Sequence, residues 1–291
     1  MSDAMRGYVF VARWPPGAGP EFVADLLERA FGFAPQDAAL TARRTTPAMV
    51  YRGDLGECGV GLRRLLEEGV VGLGVSNEHL RRMTEPPCLR VLRAALGAPE
   101  PLYMAEFARA RGGPAESMPL RASDIRLIVR GRSRTVQEQV RDRGVGDYLR
   151  TRVEPTSGLP IPEDRTVRDR QASYVELVDL HLRDGTHLRC DGSTFSFRET
   201  LGDERGLTDI DNADRLALRL AGQAPRAVVD TQFDGATWTA SLLGDLMSVR
   251  ASRGGMDRRG LLAFSVYSAV LGLVRLVERG ARAPWPYGGA G

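Results

Sequence analysis

The chain has no lysine: all 40 of its basic residues are arginine. That removes Schiff-base chemistry and the lysine of a phosphate-binding P-loop together. Cysteine is scarce, with Cys58, Cys88 and Cys190 dispersed along 291 residues. An odd, scattered set builds neither a disulfide framework nor a zinc site, so a reducing compartment, the cytoplasm, is expected. Only His79, His181 and His187 are available for general acid–base work, which leaves few catalytic triads to assemble. No G-x-S-x-G or H-E-x-x-H string occurs, and Gly72 and Gly74 lack the third glycine of a dinucleotide fingerprint. No cofactor is implied. The N-terminal stretch lacks the apolar run of a signal peptide. The longest apolar stretch, Gly260 to Val274, falls short of the roughly 20 residues that cross a bilayer, so it reads as a buried helix and no membrane span is expected.

The 37 acidic residues nearly cancel the arginines, leaving a net charge of +3. That balance gives no reason to expect a nucleic-acid partner. Arginine, with its planar fork, matches carboxylates and phosphates better than lysine does, so acidic partners suit this surface.

Strand and helix signals alternate from the start. Tyr8 to Trp14 is β-branched and aromatic, and Pro20 opens a helix whose apolar stripe is Val23, Leu27, Ala30 and Phe31. A second short helix ends before Pro47. A strand follows, then a helix closed by Gly69, then the strand "VVGLGVS". The order is β-α-α-β-α-β. The segments "EFVADLLERAFGFAPQDAALTARR" and "PAMVYRGDLGECGVGLRRLLEEGV" resemble the C-terminal domain of ribosomal protein L7/L12 and its relative, the ClpS protease adaptor. The resemblance covers residues 8 to 75 and implies a small α/β sandwich that works as an adaptor. In ClpS an Asn-Asp pair after the first strand and a histidine on the second helix hold a free amine. Here "WPPGAG" and "ALTARR" stand in those places, and Arg43 and Arg44 would repel an ammonium. The resemblance therefore carries the fold and a partner-binding role, not amine recognition.

The expected organisation is α+β: residues 1–80 as the adaptor-like unit, 81–120 as a proline-punctuated connector, and 121–280 as an antiparallel sheet with packing helices. A polar excursion over 135–172 interrupts the second domain, and 281–291 form a tail. In "SDIRLIVRGRSRT", period two places Ile125, Leu127 and Val129 on one face and Arg126, Arg130, Arg132 and Arg134 on the other. The next hairpin must keep Val178, Leu180 and Leu182 in phase with Leu188 and Cys190. A three-residue loop, Arg183 to Gly185, achieves that and sets His181 opposite His187 and Asp179 opposite Arg189. "TFSFRE" reads as a further strand. "DNADRLALRLAGQAP" reads as a helix with the stripe Ala213, Leu216, Ala217 and Leu220, capped by Asp211 or Asn212. "TWTASLLGDLMSV" and Arg258 to Glu278 read as closing helices. Leu262, Val266, Val270 and Leu273 of the last would face the second sheet. The meander with a packing helix resembles PH-like domains at the level of fold.

His181 and His187 lie at a spacing that two ligands of a zinc site would need, without a clear third, so the expectation is an exposed polar face and no metal. The arginine row Arg126, Arg130, Arg132 and Arg134 is the candidate partner-binding surface. The expected function is a non-enzymatic interaction or regulatory module for acidic proteins. Its rivals are an enzyme with its site in the second domain, and phosphate or anionic-lipid binding on the arginine face.

Overall fold

The computed structural model describes residues 6–95, 100–107, 116–142, 166–233, 239, 242, 256–257 and 259–278. The fold is α+β. A first sheet has the order β2-β1-β3, from β1 (Arg6–Arg13), β2 (Ala48–Asp54) and β3 (Val71–Ser76), all antiparallel. Helices α1 (Pro20–Phe31), α2 (Pro35–Ala42) and α3 (Leu55–Glu67) complete the β-α-α-β-α-β order. They bury Val23, Leu26, Leu27, Leu62 and Leu65 against Val9, Val11 and Val50 on one face of that sheet.

Helix α4 (Asn77–Met83) leads into β4 (Cys88–Ala94), β5 (Leu102–Phe107) and β6 (Ser117–Arg121). The expected connector over 81–120 is thus largely strand. Leu89, Val91, Leu92, Tyr103 and Ala105 are buried, and β4 finds a parallel partner about 100 residues away. The second sheet continues with β7 (Ile125–Asp142), β8 (Thr166–Leu182), β9 (His187–Asp191) and β10 (Val228–Asp230) in the order β10-β7-β8-β9-β4-β5-β6. A short β11 (Met256–Asp257) pairs with the outer part of β7. The sheet is mixed, since β10 runs parallel to β7 and β4 parallel to β9. The ribbon β7–β8 extends out to Asp142 opposite Thr166. The two ends of the expected excursion, 135–142 and 166–172, are therefore paired strand, and the rest of it, 143–165, lies outside the described residues, as does the tail.

The β8–β9 turn forms as its loop length requires. Leu180 pairs with Leu188, Val178 with Cys190, and Gly185 sits at φ +91 where a side chain would be strained. The stretch expected as a strand at Thr194 to Glu199 is instead capped by Ser196 and turns into α5 (Phe197–Leu201). Helix α6 (Asp209–Gln223) buries the expected stripe, but its cap is Thr208, whose Oγ accepts from the Asp211 N–H at 3.1 Å. Asn212 Oδ1 is engaged by the Gly206 N–H.

Helix α7 (Arg259–Val277) lies between the two sheets. Val266, Val270 and Leu273 pack on Tyr8, Phe10, Leu73 and Val75 of the first sheet, with Leu262 at the margin, rather than on the second sheet as expected. Phe264, Tyr267 and Leu271 pack on Leu127, Val129 and Leu177 of the second. With α5 and α6 on the far face of the second sheet, the layers run helices, sheet, α7, sheet, helices. That is why α7 is apolar all round. By length and composition alone Gly260–Val277 is apolar enough to cross a membrane, and 67% of it is buried inside this fold. Of the segment expected as the preceding helix, only Thr239 and Leu242 are described, and Leu242 is buried beside α7.

Candidate functional site

The register of the β8–β9 hairpin places Asp179 opposite Arg189 and His181 opposite His187, as its loop length dictates. The face they share is not exposed, because α7 covers it. Asp179 has no exposed surface, and Arg189 and His181 retain 3% and 7%. Arg189 forks onto the carboxylate, Nε donating to Oδ1 and Nη2 to Oδ2, both at 2.7 Å. Its Nη1 donates to Ser265 Oγ at 2.8 Å, which in turn donates to the Leu261 carbonyl. His187 Nε2 donates to Asp179 Oδ2 at 2.7 Å. The Ser268 hydroxyl lies 2.9 Å from His181 Nε2 and 3.4 Å from His187 Nε2, between two rings stacked at 4.2 Å.

Burial by itself would raise the Asp179 carboxyl, but Arg189 and His187 together outweigh it and hold it well below the usual carboxylate range. Burial, and then the neighbouring His187, push His181 down to about 3, so its ring is neutral. Ser265, Ser268 and Gly272 are small positions on the face of α7 that meets this network, spaced at three and four residues, and the two serines supply its hydroxyls. Gly272 has a steric reason: a Cβ there would stand 2.4 Å from His181 Nδ1.

Asp179, His181 and His187 bring three ligand atoms within 4.8 Å of one another. The donor set does not suit a dication, because both carboxylate oxygens are already engaged by a guanidinium whose charge would repel the metal. Nor is it a hydrolytic triad. In such a triad the histidine uses one nitrogen for the carboxylate and the other for the hydroxyl. Here His187 turns the same Nε2 toward both, and its Nδ1 has no partner among the described residues. The network serves to dock α7 on the second sheet.

The arginine row does not share a face. Arg130 Nε lies 2.8 Å from Asp214, and Arg132 Nε lies 2.8 Å from Glu176, with Arg130 also near Glu176. Arg132 further stacks over Tyr174, and Arg134 is exposed. A pocket of about 180 Å³ between Arg130, Arg132 and Glu176 is thus already neutralised.

Arg126 behaves differently. Ile125 pairs with Leu182 and Leu127 with His181, so Arg126 is the extra residue of a β-bulge. Ile125 consequently shares a core with Ile128, while Leu127 and Val129 face α7, and the simple alternation expected for this strand fails at that point. A bulge re-aims a side chain. Arg126 is 8% exposed, and its Nε has no hydrogen-bond partner among the described residues. It lines a cleft of about 190 Å³ between α4, the β8–β9 turn and the end of α7. Arg183 and Arg275 line the same cleft, as do Met83, Leu127, Leu182 and Leu276, and none of the described lining residues is acidic. His181 forms part of its wall, so the docking network stands directly behind it.

Of the six sequence-derived candidates, His181 and His187 meet, Arg130 and Arg132 meet across Glu176, and Arg126 and Arg134 stand apart. Sequence reasoning missed Arg275, Ser265, Ser268 and Gly272; the small-residue spacing along Gly260–Val277 was the available signal. Set against family models, curated proteins and solved structures, the chain finds no match in any of the three.

Proposed function

We propose that this chain is a non-enzymatic recognition module of a reducing compartment that binds an acidic group of a protein partner in the Arg126 cleft. The observation that carries the reading is the buried Arg126 on the wall of that cleft, whose Nε has no hydrogen-bond partner among the described residues. An isolated buried charge is costly, and an incoming carboxylate would supply the counter-charge in the bidentate geometry a guanidinium favours. The β-α-α-β-α-β order of the first unit, which the likeness to adaptor domains implies, supports a partner-binding role. The cleft also takes Met83 from α4, so an occupant would touch the helix that follows the first unit together with the second sheet.

The test is fluorescence anisotropy on the full chain with a set of labelled ten-residue peptides that carry a carboxylate, internal or terminal. Counterparts with Gln and amidated ends serve as controls. The reading expects at least one carboxylate peptide to bind wild type about tenfold or more above its neutral counterpart, an advantage lost in Arg126→Met. Equal binding of acidic and neutral sets, or an unchanged Arg126→Met, overturns it.

A further inference from the structure

Resting on that reading, we infer that the acidic group is the C-terminal α-carboxylate of a partner polypeptide that ends in an aliphatic residue. One buried guanidinium with no partner for its Nε among the described residues calls for one carboxylate. In the same cleft Met83, Leu127, Leu182 and Leu276 form apolar walls. The occupant must therefore carry an apolar group a bond or two from its anion. A glutamate or aspartate inside a chain does not: its stem is one or two methylenes, and its flanking backbone would need two ways out of the cleft. A terminal leucine, valine or methionine carries the carboxylate and the apolar side chain on one carbon and needs a single exit.

The volume agrees. About 190 Å³ lies below the roughly 300–1,000 Å³ of clefts that enclose whole drug-sized ligands, and it accommodates one residue. The rest of the peptide would run outward past the exposed turn Arg183 to Gly185, with Arg183 and Arg275 at hand for backbone carbonyls, since guanidinium groups only donate. Arg275 already holds Glu278 at 2.7 Å, which leaves Arg126 as the principal anchor.

Anisotropy on the full chain tests this with one amidated-or-free series: a ten-residue neutral peptide ending in leucine as the free acid, its C-terminal amide, a glycine-ended acid, an aspartate-ended acid, and an amidated peptide with internal glutamate. N-acetyl-leucine serves as a competitor. The free leucine end should bind about tenfold or more tighter than its amide, with leucine above glycine and glycine above aspartate. Arg126→Met and Arg126→Lys should both lose that preference, since lysine lacks the fork. Removing this buried charge should leave the melting temperature unchanged or raised. Arg183→Gln, on the exposed turn, gives a second variant that folds and should weaken every free-acid peptide. If the internal-glutamate amide binds as well as the free leucine end, the acidic-partner reading stands and the chain-end inference falls. Competition by N-acetyl-leucine at the same affinity as the whole peptide also overturns it, in favour of a free small acid. Binding by no carboxylate peptide overturns both.

Discussion

Replacing Gly272 by alanine sets two effects of known size against each other. In the interior of a helix alanine is favoured over glycine by about 0.5–1 kcal/mol. On α7, however, the new Cβ would stand 2.4 Å from His181 Nδ1 and 2.6 Å from Cε1. The ring has little room to retreat, since it stacks on His187 at 4.2 Å, holds Ser268 at 2.9 Å and is 7% exposed. Overpacking of this kind costs about 1–3 kcal/mol, and displacement from Ser268 adds about 0.5–1.5 kcal/mol. The steric side wins, and Gly272→Ala should lose about 1–3 kcal/mol in urea unfolding. The ring's escape is into the cleft it borders, so the same variant should weaken any occupant held by Arg126. A double-mutant cycle isolates the contact. In a His181→Ala background the same change should become neutral or stabilising by about 0.5–1 kcal/mol, a coupling of about 2 kcal/mol. If Gly272→Ala stabilises both backgrounds equally, α7 does not pack on His181 and the docking network described above is wrong.

Val270 is fully buried in the cluster that joins α7 to Tyr8, Phe10 and Leu73. Val270→Asp should cost about 3–5 kcal/mol, as an uncompensated buried charge does. Leu218→Asp on α6, where the side chain is 69% exposed, should stay within about 0.5 kcal/mol; equal melting temperatures for the two would refute the placement of α7. Acid should destabilise the fold before the carboxylates titrate. His181 titrates near 6.5 when unfolded and at about 3 when folded, so the unfolded chain takes up the proton first. Stability is then complete above about pH 6.5 and falls as the pH drops toward 3, by on the order of 3 kcal/mol at pH 4. Asp179, held low, adds to the loss in the same direction below about pH 4. Urea unfolding of His181→Asn should flatten the segment between pH 6.5 and 4, and parallel curves for the variant and wild type would contradict the assignment.

Local rules made part of this architecture legible. Loop length and phase set the β8–β9 register, so the pairs Asp179–Arg189 and His181–His187 follow from the residues themselves. The same rules say which side chains share a face but not what lies over it. The charged face of this hairpin reads as solvated until a helix some 80 residues later closes on it. Strand β4 escaped notice for a related reason: its partner β9 is about 100 residues away, and its proline-rich approach looks like a linker. The bulge at Arg126 has no glycine or proline to announce it. Arg126, buried in the cleft, was therefore indistinguishable, in sequence, from Arg130 and Arg132, which Glu176 and Asp214 neutralise. Charge runs are legible as charge; pairing partners are not.

The position of α7 between two sheets has a consequence for synthesis. The first sheet is complete when Ser76 has been made, yet the face bearing Tyr8, Phe10, Leu73 and Val75 is covered only in part, by Leu80 and Met83 of α4, until the helix ending at Val277 follows, about 200 residues later. At a translation rate of about 5–20 residues per second that is roughly 10–40 s. During that interval an apolar sheet surface stands partly open to other nascent chains. The contact that finally covers it is among the longest-range in the molecule, and such contacts form slowly. The cell must therefore shelter a half-built sandwich for longer than most small domains take to fold, and a truncated message would leave a product with an adhesive face.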